Sequence, residues 1–219
     1  MNSPWNVCVA DWLAGLFMGP LSIDTIDSYR NDIGAVLLDE IDEGPGAAPG
    51  IRLMRSALGA QASASAVQRD LESAFTQLFD GVAGPNTVSL YESSYIGGSG
   101  RLFQESVDDM NRLLRQLNLS SDTAFREPPD HLSVELAVLG RLMRRGSSQE
   151  AQAGLLDQHL LAWIPSFARR CRLADPTGFY AGAASVLSAF LSQQRMGLRR
   201  GGRVGRTSQP QNGVMPCRS

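Results

Sequence analysis

The sequence predicts an all-α protein, and three observations carry that reading. Apolar residues recur at three- and four-residue spacing in segment after segment. Ser, Asp or Pro stands where most of those segments begin, and Gly or Pro where most end. No segment sustains period-two alternation of β-branched residues between hairpin turn signals. About eight to ten helices fit into the 219 residues.

Ser3-Pro4 caps and starts a first helix, whose stripe of Trp5, Cys8, Val9, Trp12 and Leu16 runs to Gly19-Pro20. Ser22 caps a second segment, with Asp24 and Asp27 in the first turn and Ile23, Ile26, Ile33 and Leu37 on one face, stopping before Gly44-Pro45. Residues 44–50 read as a Gly, Pro and Ala-rich loop before a short helix through Ile51, Met54 and Leu58. Val67, Leu71, Ala74, Phe75 and Leu78 form the next stripe, ended by Gly81 to Asn86. An irregular passage through Tyr91 and Tyr95 precedes the clearest amphipathic face in the chain: Leu102, Phe103, Val107, Met110, Leu113, Leu114 and Leu117. The two prolines of Glu127-Pro128-Pro129-Asp130-His131 stop one helix, and Asp130 is placed to cap the next, which carries Leu132, Leu136, Leu139 and Met143 to Gly146. A helix from about Ser148 through Leu156, Leu160 and Trp163 is expected to break or kink at Pro165 and to resume with Phe167 until Asp175-Pro176. Phe179, Ala183, Val186, Leu187 and Phe190 form the last helix.

One globular helical domain is expected over residues 1–198, followed by a disordered tail over 199–219, where Gly, Arg, Ser, Pro and Gln offer little to bury. Residues 195–219 hold six arginines and no acid, which leaves the rest of the chain at −8 against the overall −2. An acidic body disfavours nucleic-acid phosphates and favours basic partners. Hydrophobic residues at 43% and charged residues at 19% describe a packed globular protein. Cys8, Cys171 and Cys217 are odd in number and widely spaced, indicating neither a disulfide framework nor a zinc site. Reduced thiols, an N-terminal stretch without a basic n-region, and apolar runs too short to span a bilayer fit a cytoplasmic protein with no stable membrane insertion.

Phosphate-binding and nucleophile-elbow motifs are absent from the sequence, so no cofactor site and no catalytic residue is assigned. With only two histidines, His131 and His159, the chain is poorly supplied for metal chemistry, and no metal ligand set is assigned. His131 and Glu135 share a helix face without a second ligand pair, and His159 between Leu156 and Trp163 reads as a satisfied core or boundary histidine. A metal-dependent hydrolase built on Asp130, His131 and His159 is the alternative from another functional class. Polar and aromatic residues concentrate in the two irregular breaks, Tyr91-Glu92-Ser93-Ser94-Tyr95 and Glu127 to His131, where binding residues held by a helical scaffold tend to sit.

At these breaks the chain resembles the TorD/DmsD family of redox-enzyme maturation proteins, whose hallmark is an E-P-x-D-H segment opening a helix, with a Y-x-S-x-Y-like segment upstream. Glu127-Pro128-Pro129-Asp130-His131 and Tyr91 to Tyr95 match these two. Trp12-Leu13-Ala14-Gly15-Leu16-Phe17, Trp163-Ile164-Pro165-Ser166-Phe167, Arg170-Cys171 and Gly178-Phe179-Tyr180-Ala181 extend the likeness in order along the chain. The C-terminal matches look most like the branch that serves trimethylamine N-oxide reductase. One departure is Ala74 before Phe75, Leu78 and Phe79, where the family often carries an acid.

The resemblance implies a cytoplasmic, non-catalytic chaperone that binds the twin-arginine signal peptide and the immature body of an apo-molybdoreductase, delaying export until molybdopterin is inserted. It implies trimethylamine N-oxide reductase as client, with dimethyl sulfoxide reductase or another molybdoreductase as the alternative. Proteins of molybdenum-cofactor biosynthesis would be further partners, and the chain would be a monomer or a domain-swapped homodimer. The expected client surface comprises Trp12, Tyr91, Ser93, Tyr95, Glu127, Pro128, Asp130 and His131. Glu127 and Asp130 would meet the arginines, Tyr91, Tyr95 and Trp12 would line an apolar groove, and His131 would orient the site.

Overall fold

The computed structural model describes residues 3–81, 86–96, 103–116 and 127–204. Among these, ten α-helices appear: α1 Pro4–Leu16, α2 Ile23–Asn31, α3 Ile33–Asp42, α4 Ala48–Leu58, α5 Ala64–Phe75, α6 Phe103–Gln116, α7 Leu132–Arg144, α8 Gln149–Leu155, α9 Leu161–Ala174 and α10 Phe179–Val204. Among the described residues no strand joins them. The Tyr91–His131 antiparallel bridge is the one strand-like pairing among the described residues. None of the helices is long and apolar enough to cross a membrane.

Ser3, Ser22, Ser63 and Ser148 cap their helices by accepting from backbone N–H groups at Trp5, Thr25, Ala66 and Ala151. The segment expected as one helix from Ser22 to Glu43 is two, because Asp32 adopts an extended conformation (φ −138°, ψ −151°) between α2 and α3. The break turns Ile33 outward, 70% exposed, away from the face of Ile26. Residues 48–50, expected as loop, open α4 with Pro49 in its first turn, where a missing N–H breaks no helical bond.

Pro165 does not interrupt α9. The irregularity lies one turn earlier, in a π turn over Leu156–Leu160 that joins α8 to α9. A second π turn, Thr76–Asp80, extends α5. The last helix continues through Arg199 and Arg200 to Val204, past the expected boundary at 198. Leu102, Leu117, Cys217 and the remainder of the expected tail lie outside the described residues.

The core is continuous. Phe17, Phe75, Phe79, Phe167 and Tyr180 pack edge to face or stacked with ring centroids 5.0–6.3 Å apart, joining α1, α5, α9 and α10. α4 lies against α10 at very short range, since a Cβ added at Gly50 would stand 2.5 Å from the Gly182 carbonyl oxygen and 2.8 Å from Val186 Cγ2. Only glycine allows the two backbones to meet there. α1 packs along α7, and an Arg144–Asp11 ion pair fastens their surface.

Candidate functional site

The two breaks expected to carry function come together. Residues 88–92 run beside 130–132: Glu92 N–H donates to the Asp130 carbonyl (2.9 Å) and Leu132 N–H to the Leu90 carbonyl (2.8 Å). Val88 N–H donates to the Leu78 carbonyl (2.7 Å), which ties the same stretch to the π turn after α5. Glu92–Ser94 then forms a single 3-10 turn.

His131, not Asp130, is the N-cap of α7. Its backbone is extended (φ −75°, ψ 136°) and its Nδ1 accepts from Ser133 N–H at 3.2 Å. An accepting Nδ1 holds the ring in the neutral form with its proton on Nε2. Burial pushes the His131 pKa down, against the opposing pull of the Glu127 and Asp130 carboxylates. Asp130 turns back instead, its Oδ2 accepting from Ser93 N–H (3.3 Å), and is only 2% exposed. A carboxylate so enclosed positions the 3-10 turn and is poorly placed to meet an arginine arriving from solvent.

Tyr91 is half-buried, its ring edge to face with His131 (5.1 Å) and its hydroxyl donating to Glu127 Oε2 (2.8 Å). Burial, the bond to Glu127, and the charges of Glu127, Asp130 and Asp80 push the Tyr91 pKa up to about 12. Asp80, exposed at the end of the π turn, thus adds to the acidic surround of this ring. Pro128 is exposed, and its carbonyl accepts from His131 N–H (3.0 Å). Tyr95 belongs more to the core than to a groove: it packs on Trp163 (5.0 Å), donates to the Ser89 carbonyl (2.8 Å), and carries the Arg170 guanidinium over its ring (4.8 Å). Trp12 stands apart from this junction. Its Nε1 donates to the Tyr29 hydroxyl (2.7 Å), and it lines an open cleft of about 470 Å³ between α1 and α2 with Leu16, Met18, Pro20, Leu21 and Tyr29.

Behind the junction lies a buried polar group that the sequence reading did not assemble. His159 Nδ1 is 2.9 Å from Glu92 Oε2, and Trp163 Nε1 donates to Glu135 Oε2 (3.2 Å). Burial, and then the neighbouring Glu92 charge, raise the Glu135 pKa well above the usual carboxylate range. His159 is a satisfied core histidine, as its sequence context suggested. The geometry does not favour the hydrolase alternative, because His131 Nδ1 caps α7 and the Asp130 carboxylate holds Ser93. Ala74 is buried at 1% exposure in the core beside Phe75. An acidic side chain there would need a partner or a proton.

The described residues form an all-helical scaffold that presents two paired irregular segments. The family model for the nitrate reductase delta subunit matches residues 44–169, more than half of the chain, and the chain belongs to that family. Among individual proteins it is similar to chaperone protein TorD of Vibrio atlanticus, at 30% identity over 189 residues covering 82% of this chain and 87% of that one. It is similar also to chaperone protein TorD of Photobacterium profundum (29% over 190 residues; 82% and 87%) and of Ferrimonas balearica (30% over 188 residues; 83% and 84%). The resemblance read from Tyr91–Tyr95 and Glu127–His131 is borne out.

Proposed function

We propose that this chain is a cytoplasmic chaperone that binds the twin-arginine signal peptide and immature body of an apo-molybdoreductase. It holds the client until molybdopterin is inserted, with trimethylamine N-oxide reductase as the first candidate. The likeness to proteins named chaperone protein TorD supports the class. The observation that carries the site is the half-exposed Tyr91 ring, whose hydroxyl is held by Glu127 with the exposed Asp80 carboxylate nearby. Two carboxylates beside an aromatic face suit a pair of guanidinium groups, which hydrogen-bond carboxylates in a planar fork and stack on rings. Asp130, Ser93 and His131 set the geometry of this surface from behind. The α1–α2 cleft at Trp12 offers apolar surface for a hydrophobic stretch of the client. Proteins of molybdenum-cofactor biosynthesis are the further partners expected on this reading.

Holding works by mass action: preferential binding of the cofactor-free client raises its population by an amount set by the difference in affinities. Calorimetric titration with signal peptides from trimethylamine N-oxide, dimethyl sulfoxide and other molybdoreductases tests the proposal. Replacing the arginine pair by lysines should weaken binding about tenfold or more, since lysine lacks the planar fork. Glu127→Gln should do the same in a protein whose circular dichroism is unchanged. Unaltered affinity in a Glu127→Gln, Asp80→Asn double variant rejects this surface, and no binding of any such peptide rejects the function.

A further inference from the structure

Glu92, Glu135 and His159 reach one point from three separate elements: the 3-10 turn, α7 and the π turn between α8 and α9. One carboxylate oxygen from each glutamate and one imidazole nitrogen lie within 4.8 Å of one another. All three side chains are enclosed, at 1%, 0% and 7% exposure. Glu135 Oε1 has no hydrogen-bond partner although the residue is fully buried. A buried carboxylate oxygen left without a donor is a costly arrangement unless something else satisfies it.

From this geometry we infer that Glu92, Glu135 and His159 form a binding site for one divalent first-row transition-metal ion, of which Zn²⁺ is the representative. Charge favours this occupant. Two carboxylates and a neutral imidazole around a divalent cation sum to zero, so the filled site sits in the low-dielectric core without net charge. An imidazole among the ligands selects a transition metal over Mg²⁺ or Ca²⁺, which take oxygen alone. Protein ligands stand about 2.0–2.2 Å from such an ion, which in a tetrahedral arrangement sets them roughly 3.4 Å apart, so the three atoms, within 4.8 Å of one another here, close in on binding by up to about 1.4 Å through side-chain rotation.

The surroundings have the form of a ligand-orienting shell. Trp163 donates to Glu135 Oε2 and fixes the carboxylate plane. The π turn places His159 toward Glu92, and such one-residue insertions in helices are frequent at functional sites. The enclosed ion is structural: it fastens the turn that carries Tyr91 and Tyr95 to α7 and α9, and it takes no part in hydrolysis.

Chelator-treated full-length protein titrated calorimetrically with Zn²⁺ alone, in two buffers of different ionisation enthalpy, tests the site. The expected result is one ion per chain with proton release on binding, because the ligands must be deprotonated. Glu135→Gln keeps the shape and the acceptor for Trp163, and Glu92→Gln provides a second variant should the first fail to fold. Either should weaken Zn²⁺ binding at least tenfold, while Cys8→Ser should leave it unchanged. No Zn²⁺ uptake by the wild-type chain, or uptake of equal affinity in both glutamine variants, overturns the inference.

Discussion

The α4–α10 contact and the junction of residues 88–96 with 127–135 are fastened in opposite ways. At α4–α10, Gly50 and Gly182 bring two backbones into direct contact among Met54, Leu53 and Val186, and shape and apolar burial specify the fit. At the junction, Glu92, Asp130, His131, Glu135 and His159 are buried together, and directional bonds to Ser93, Ser133 and Trp163 specify it. Close apolar packing is non-directional and stabilising. Buried polar pairing contributes little net stability but admits few alternative geometries. The first region is therefore scaffold, and the second holds the proposed client surface in shape.

Gly50→Val attacks the scaffold and should have the largest effect. Its side chain must displace the Gly182 carbonyl or Val186, for a loss of about 3 kcal/mol in urea unfolding. A loss below roughly 1 kcal/mol would show that α4 and α10 can separate cheaply, and the contrast would weaken. Trp163→Phe attacks the junction. It removes the donor to Glu135 and some buried volume, with an expected loss of about 2 kcal/mol.

Glu135→Gln should have the smallest effect and the opposite sign. The folded-state pKa of Glu135 is raised, so its contribution is fully present below the unfolded value near 4.5 and is lost as pH rises through the folded value. In chelator-treated protein the wild type should lose stability relative to Glu135→Gln as pH climbs above the unfolded value, the variant ending ahead. Parallel stability profiles for the two proteins above that value would mean that the carboxyl is not protonated in the fold.

The fold was largely legible because amphipathic periodicity is a local property: the stripes of α1, α5, α7 and α10 can be read without knowing their neighbours. The two site segments were legible as irregular, polar and aromatic stretches. Their pairing and the chemistry behind it were not. Asp32 divides a single apolar pattern through its own backbone conformation. Pro165 stands inside an unbroken α9, and the π turn ahead of that helix is announced by no spacing. Glu92 and Glu135 lie far apart in sequence, and only tertiary packing makes them neighbours. One signal was available: Glu135 is the lone charge in Leu132-Ser133-Val134-Glu135-Leu136-Ala137-Val138-Leu139-Gly140, a run too apolar to present a solvated face. The Asp80 contribution carried no such mark.

The Tyr91–His131 bridge has a consequence for how the chain can vary. It holds side by side two residues that are 40 positions apart in the sequence. Lengthening the loop between such a pair costs only about 0.6 kcal/mol per doubling. Changes of chain length between the two paired segments therefore cost little, and Tyr91, Glu127 and His131 can stay in register through them.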